Sequence, residues 1–297
     1  MKKAIKAIIL IALTALLCLI LVLAVSYFTG YKIYRDVSYG SDETNTMDIY
    51  IPNKAYRRES NGVVIFIHGG SWTGGDKADE EARCRILASQ GYLAASVNYT
   101  LWSDENSSEY TVFSVLDEID AALAKVCEFA SNLGINVDRA AITGYSAGAH
   151  LAMLYSYSRG DSAPVDIVFT ASMAGPSDIK AEVWGSETAI IIANRLTGEE
   201  ITEQMIASGE ADELLSSISP ISYIDENAPP TLIIHGGKDN VVPLRNAESL
   251  MDNLEANGVK YDYIHLENSD HSLLQNPIGH LSYYLTLLDY CEEYFGK

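Results

Sequence analysis

The sequence predicts an α/β fold, a mostly parallel central sheet with helices on both faces, and three observations predict it. Val63-Val64-Ile65-Phe66-Ile67, Tyr92-Leu93-Ala94-Ala95-Ser96-Val97, Val165-Asp166-Ile167-Val168-Phe169 and Thr231-Leu232-Ile233-Ile234 are short, largely apolar runs, as expected of strands buried on both faces. Segments of helical period separate them. In 112–133, Val115, Leu116, Ile119, Ala122, Leu123, Val126 and Phe129 share one face, and Gly134 sits where a helix would stop. Strand, helix, strand, helix in this order implies parallel pairing with right-handed crossovers. Finally, Ala140-Ala141-Ile142-Thr143 runs into Gly144-Tyr145-Ser146-Ala147-Gly148 and then Ala149-His150-Leu151-Ala152-Met153-Leu154, which reads as strand, sharp turn and helix with Ser146 at the apex.

The amino terminus is expected to lie outside this fold. Lys2, Lys3 and Lys6 precede 22 residues, 7–28, with no charge among them. Such a stretch is long enough to cross a hydrocarbon core of ~30 Å as a helix. The lysines would stay cytoplasmic and send the remainder outward. The expected organisation is a basic stub at 1–6, a transmembrane anchor at 7–28 and one catalytic domain at 31–297, single-pass in the cell membrane on its extracytoplasmic side. A cleaved signal peptide competes with this reading, because Ala24-Val25-Ser26 has the small residues of a cleavage site. The domain would then be secreted.

Along the domain, 31–52 alternates as two strands joined by a polar turn at 40–45. The run 63–67 is a central strand ending in His68-Gly69-Gly70-Ser71-Trp72. Residues 80–90 read as a helix and 92–97 as the next strand. After the apex helix comes the strand at 165–172. Residues 179–229 have no strand character and include Trp184 and Ala189-Ile190-Ile191-Ile192. This insertion is expected either to cap the site or to lie at the periphery. A strand at 231–236, a helix at 244–257, a strand at 261–266 and a helix at 278–294 close the chain.

Net charge is −20, and removing the three leading lysines leaves 17 basic residues against 40 acidic. That surface repels phosphate backbones and argues against nucleic acid. Cys84, Cys127 and Cys291 form no CxxC pair and lie near no histidine at zinc spacing, so neither a metal nor a cofactor is expected.

Chemistry enters with Ser146, Asp239 and His271, each in a loop after a candidate strand. A serine hydroxyl needs an imidazole to take its proton, and the imidazole needs a carboxylate to fix its tautomer. Of six histidines, His68 precedes the apex, His150 adjoins it, His235 and His265 lie on strands, and His280 begins the last helix. His271 alone occupies the loop after the last strand. Asp270 and Glu267 sit too near it in sequence to reach its far nitrogen. The glycine pair after 63–67 lets backbone N–H groups turn toward one point, as an oxyanion requires. Trp72 reads equally as pocket wall or core.

His-Gly-Gly-Ser-Trp at 68–72, Gly-Asp-Lys at 75–77, Val-Asn-Tyr at 97–99, Gly-Tyr-Ser-Ala-Gly-Ala-His-Leu-Ala at 144–152, Gly-Pro-Ser-Asp at 175–178, Ser-Pro-Ile-Ser-Tyr-Ile at 219–224, His-Gly-Gly-Lys-Asp-Asn-Val-Val-Pro at 235–243 and Asp-His at 270–271 resemble the carboxylesterase and lipase branch of the α/β-hydrolase superfamily. Within it they are similar to hormone-sensitive-lipase-like, kynurenine-formamidase-like and feruloyl- or acetyl-xylan-esterase-like enzymes. The resemblance covers nearly everything after about residue 36. It implies Ser146 as nucleophile, Asp239 and His271 as its relay partners, and the N–H groups of Gly70, Ser71 and Ala147 as oxyanion hole. Trp72, Tyr145 and Trp184 are expected at the substrate. The chain departs from the family at Ser71, where a third glycine is usual, and at Ala149. The implied activity is hydrolysis of small acyl esters, acetyl or feruloyl esters on carbohydrate among them, through an acyl-enzyme. A prolyl-oligopeptidase-type peptidase, an arylformamidase and a non-catalytic binding protein of the same fold are the alternatives.

Overall fold

Eight strands carry the apolar runs: β1 (Tyr31–Ser38), β2 (Thr46–Pro52), β3 (Asn61–Ile67), β4 (Leu93–Val97), β5 (Val137–Tyr145), β6 (Asp166–Met173), β7 (Thr231–Gly236) and β8 (Tyr261–Leu266). The structure is a computed structural model describing residues 2–28 and 30–296. The strands form one sheet in the order β1-β2-β4-β3-β5-β6-β7-β8. β2 runs antiparallel to β1 and β4, and every other pair is parallel. The parallel majority follows from the helices that intervene between strands, since each crossover returns the chain to the same end.

The intervening helices are α2 (Glu81–Gln90), α3 (Val112–Asn132), α4 (Ala147–Arg159), α5 (Ala181–Trp184), α6 (Ser186–Thr197), α7 (Glu203–Ser208), α8 (Asp212–Ser217) and α9 (Arg245–Ala256); α1 (Lys2–Phe28) precedes the sheet and α10 (Pro277–Phe295) follows it. Alternation along β3 shows how the layers form. Val63, Ile65 and Ile67 enter a core shared with α3 and α4, while Val64 and Phe66 face the core under α2 and α10. All seven residues of β3 are buried, and after Asn61 at its start no polar side chain interrupts the run. α3 begins at Thr111, whose hydroxyl accepts from Ser114 N at 3.2 Å, and its chain turns at Gly134, φ 77°. The segment 179–229 contains α5 to α8 and no strand, as its composition implies.

The expected anchor at 7–28 falls within α1. The side chains of residues 7, 8, 10, 11, 22–24 and 26–28 lie outside the described residues. Among the described residues no helix is long and apolar enough to cross a membrane, so the structure lends the expected span no support.

Candidate active site

Ser146 stands between β5 and α4 with φ 54° and ψ −120°, a conformation that for a residue with a side chain stores about 1–3 kcal/mol and persists only when its surroundings enforce it. Two hydrogen bonds enforce it here. Ser146 N donates to Met173 O at 2.9 Å, and His150 N donates to Ser146 O at 3.1 Å. The turn also needs α4 to pass β3 closely: a Cβ on Gly148 would lie 2.0 Å from Ile67 O. The result lifts the Ser146 hydroxyl to the carboxyl end of the sheet, 8% exposed.

Three loops bring the other side chains to it. His271, in the loop after β8, has Nε2 at 3.0 Å from Ser146 Oγ, and its Nδ1 lies 2.7 Å from Asp239 Oδ2. An ionised carboxylate only accepts, so the proton sits on Nδ1 and leaves the Nε2 lone pair to accept from the serine. Asp239 follows β7. Its Oδ1 accepts from Val241 N and Val242 N, both at 2.9 Å. Burial pushes the Asp239 carboxyl up, but the bonds from His271 and those two amides outweigh it and hold the group below the ordinary carboxylate range. His235 ties the same loop down, with Nε2–H donating to Val242 O at 3.0 Å.

The loop after β3 and the start of α4 carry the expected backbone donors. Among the described residues, the N–H groups of Gly70, Ser71 and Ala147 have no protein acceptor, and Ser71 and Ala147 border the same cavity as Ser146. Ser71, Ala147 and Ser146 border one cavity of about 200 Å3, whose remaining wall includes Trp72, Pro176, Trp184, Ile191, Ile192 and Val242. Trp184 and the α6 residues Ile191 and Ile192 bring the 179–229 insertion to the border of this cavity. Trp72 is both wall and core, being 4% exposed. Tyr145 departs from expectation. It does not border the cavity; its hydroxyl donates to His271 O at 2.8 Å and its ring lies 5.1 Å from the His271 ring, which makes it a brace for the histidine loop.

Arg195 and Trp102 were not foreseen. Arg195 lies on α6 and donates from Nη1 to Ser71 O at 3.0 Å, with its guanidinium 5.0 Å from the Trp102 ring centre. An arginine within an apolar helical run was the one visible signal. His68 braces the loop as its position suggests, with Nδ1–H donating to Gly69 O at 2.8 Å.

His150 makes the insertion acid-sensitive. It is fully buried on α4, and Nε2–H donates to Ile218 O at 2.8 Å across to the insertion. Burial, opposed by the Ile218 carbonyl, lowers its pKa to about 4. The unfolded chain, titrating near ~6.5, therefore binds the proton first. Stability is fully present above that value and falls as pH drops toward 4, by about 3 kcal/mol at most. Urea melts at pH 7 and pH 4.5 should show a smaller loss in His150→Gln than in the wild type; equal losses would contradict this.

Comparison with known proteins agrees with this architecture. The chain is 26% identical over 270 residues to the Oryza sativa subsp. japonica protein named probable isoprenylcysteine alpha-carbonyl methylesterase ICMEL1, covering 85% of this chain and 60% of that one. It is 28% identical over 248 residues to esterase LipC of Mycobacterium tuberculosis, covering 80% and 59%. The chain thus spans about three fifths of the length of these curated relatives. A solved structure described as a truncated form of carbohydrate esterase from gut microbiota superposes with a TM-score of 0.75 at 23% identity, over 90% of this chain and 98% of that one, which shows a shared fold. The BD-FAE family model matches residues 47–254, a span that holds Ser146 and Asp239 and stops short of His271. The chain therefore belongs to the BD-FAE family, of α/β-hydrolase type.

Proposed function

We propose that the protein is a serine carboxylesterase that hydrolyses short acyl esters. The observation that carries this reading is the unbroken chain Ser146 Oγ, His271 Nε2, His271 Nδ1, Asp239 Oδ2 at 3.0 and 2.7 Å. Ser146 attacks the ester carbonyl as His271 takes its proton, and the tetrahedral oxyanion is met by the N–H groups of Gly70, Ser71 and Ala147. His271, now charged beside Asp239, returns the proton to the departing alkoxide. The acyl group stays on Ser146 until water, activated by the same imidazole, releases it as the acid.

The esterase names of the relatives support the bond type. The cavity supports a small acyl group, because about 200 Å3 falls below the ~300–1,000 Å3 of pockets that take drug-sized ligands. An acetyl group fits it better than a feruloyl group. The neighbour described as a carbohydrate esterase makes acetylated carbohydrate the first alcohol moiety to test. A panel of p-nitrophenyl acetate, butyrate, octanoate and feruloyl ester, with acetylated xylan, tests the assignment. Highest kcat/KM is expected for acetate or butyrate. Preference for octanoate or feruloyl ester would overturn the acyl assignment, and no ester turnover at all would overturn the function.

The same reading takes residues 7–28 as an anchor that holds the domain at the extracytoplasmic side of the cell membrane. Its support is the uncharged stretch of 22 residues behind three lysines. The full chain should stay with membranes through alkaline carbonate extraction. Release into the supernatant with residue 1 intact would contradict the anchor, and a new amino terminus near 24–26 would show cleavage instead.

A further inference from the structure

The backbone leading from β3 into the cavity is left-handed at three consecutive residues: Gly70 at φ 119°, Ser71 at 54° and Trp72 at 62°. Glycine adopts such values freely, but Ser71 and Trp72 do not. Relaxing either one would swing the Ser71 carbonyl, and rotation at Ser71 would re-aim its own N–H together with the glycine before it. The four carbonyls from Gly69 to Trp72 nonetheless each have a donor. His68 Nδ1–H serves Gly69 O at 2.8 Å, and Thr73 N and Gly74 N both serve Gly70 O at 3.0 Å. Arg195 Nη1 serves Ser71 O at 3.0 Å, and Trp102 N serves Trp72 O at 2.8 Å.

Two of these four attachments come from outside the loop and are linked to each other, since the Arg195 guanidinium lies against the Trp102 ring at 5.0 Å. Arg195 is carried by α6, whose Ala189, Ile192, Ala193 and Leu196 are buried. Among the described residues, no carboxylate lies within ion-pair distance of Arg195, although the chain has 40 acidic residues. Its donors are therefore not drawn away from the Ser71 carbonyl.

We infer that Arg195 is a positioning residue: through it the insertion holds the Ser71 carbonyl, and through its stack on Trp102, whose N–H holds the Trp72 carbonyl, it completes a clasp that keeps the Gly70 and Ser71 N–H groups aimed at the oxyanion. This rests on the esterase reading of the site. The clasp acts on the transition state rather than on substrate binding, because the oxyanion appears only after attack. It also makes the insertion part of the catalytic geometry.

The test is kinetics of Arg195→Ala and Arg195→Lys on p-nitrophenyl acetate, with thermal melts to confirm folding. Losing one oxyanion donor outright lowers kcat by about 10²–10³-fold, so loosening two is expected to lower it by roughly 10–100-fold in Arg195→Ala. KM should stay within about threefold, the pattern of a contact felt only in the transition state. Millimolar guanidinium should restore part of kcat to Arg195→Ala. Arg195→Lys should fall between, having a cation without the planar stack; it decides the matter if the alanine variant fails to fold. A folded variant with kcat within about twofold of wild type, or one that raises KM at unchanged kcat, overturns the clasp. A wild type that hydrolyses no ester and resists fluorophosphonate brings down the site reading itself, a distinguishable failure.

Discussion

Ser146→Ala is expected to lose about 10⁶-fold in kcat on short acyl esters while remaining folded, because serine and imidazole act as one unit and removing either stops covalent catalysis. The geometry allows no substitute. His271 Nε2 has Ser146 Oγ as its partner at 3.0 Å, and alanine leaves that base facing nothing it can activate except water. The Gly70, Ser71 and Ala147 amides would still favour the oxyanion, so a residual of about 10³-fold over the uncatalysed reaction should persist. Stability should move by no more than about 0.5 kcal/mol, since alanine keeps the Cβ at the strained position and the lost hydroxyl is not a structural anchor. Steady-state kinetics with a matched thermal melt check both halves. A folded variant within tenfold of wild type would contradict the assignment.

Asp239→Asn should lower kcat by about 10⁴-fold. The amide can present its NH2 to His271 Nδ1, which moves the ring proton to Nε2 and removes the acceptor that Ser146 needs. The same substitution carries a pH signature. Asp239 is held below the usual carboxylate range by His271 and by the Val242 and Val241 amides, against burial. A carboxyl with a depressed folded pKa stabilises the native state fully above its unfolded value of ~3.9, and that contribution is lost as pH falls through the folded value. Asp239→Asn should therefore flatten the acid limb of stability below about pH 4 while leaving the limb due to His150 in place. Denaturant melts from pH 2.5 to 5 would show it. An unchanged acid limb would mean that the carboxylate is not bound as described.

Much of this was readable in the residues, for local reasons. The Ser146 turn depends on spacing within one pentapeptide, and strand, turn and helix each announce themselves by period. The partners were readable because parallel strands end at one edge, so loops after β7 and β8 converge there with the loop after β5. Tyr145 misled because adjacency in sequence suggested adjacency in the pocket. Along β5 it shares the face of Thr143, whose hydroxyl meets Tyr283 on α10, and so it turns under the histidine loop instead. Arg195 stood out only as an arginine in an apolar helical run, and nothing in the sequence paired it with Trp102, since their partnership joins a loop and a helix more than ninety residues apart. The insertion was visible as a break in strand character, but its hold on Ser71 is a tertiary fact. The uncharged stretch at 7–28 is plain in the sequence, whereas the described part of α1 does not carry it further.

The most direct test of the central claim is intact-mass and peptide analysis of the full-length protein after exposure to a fluorophosphonate. One adduct per chain is expected, located on Ser146, forming at a rate that drops by several orders of magnitude in His271→Ala. No adduct on folded wild-type protein, or an adduct on another residue that forms equally fast in His271→Ala, would contradict it.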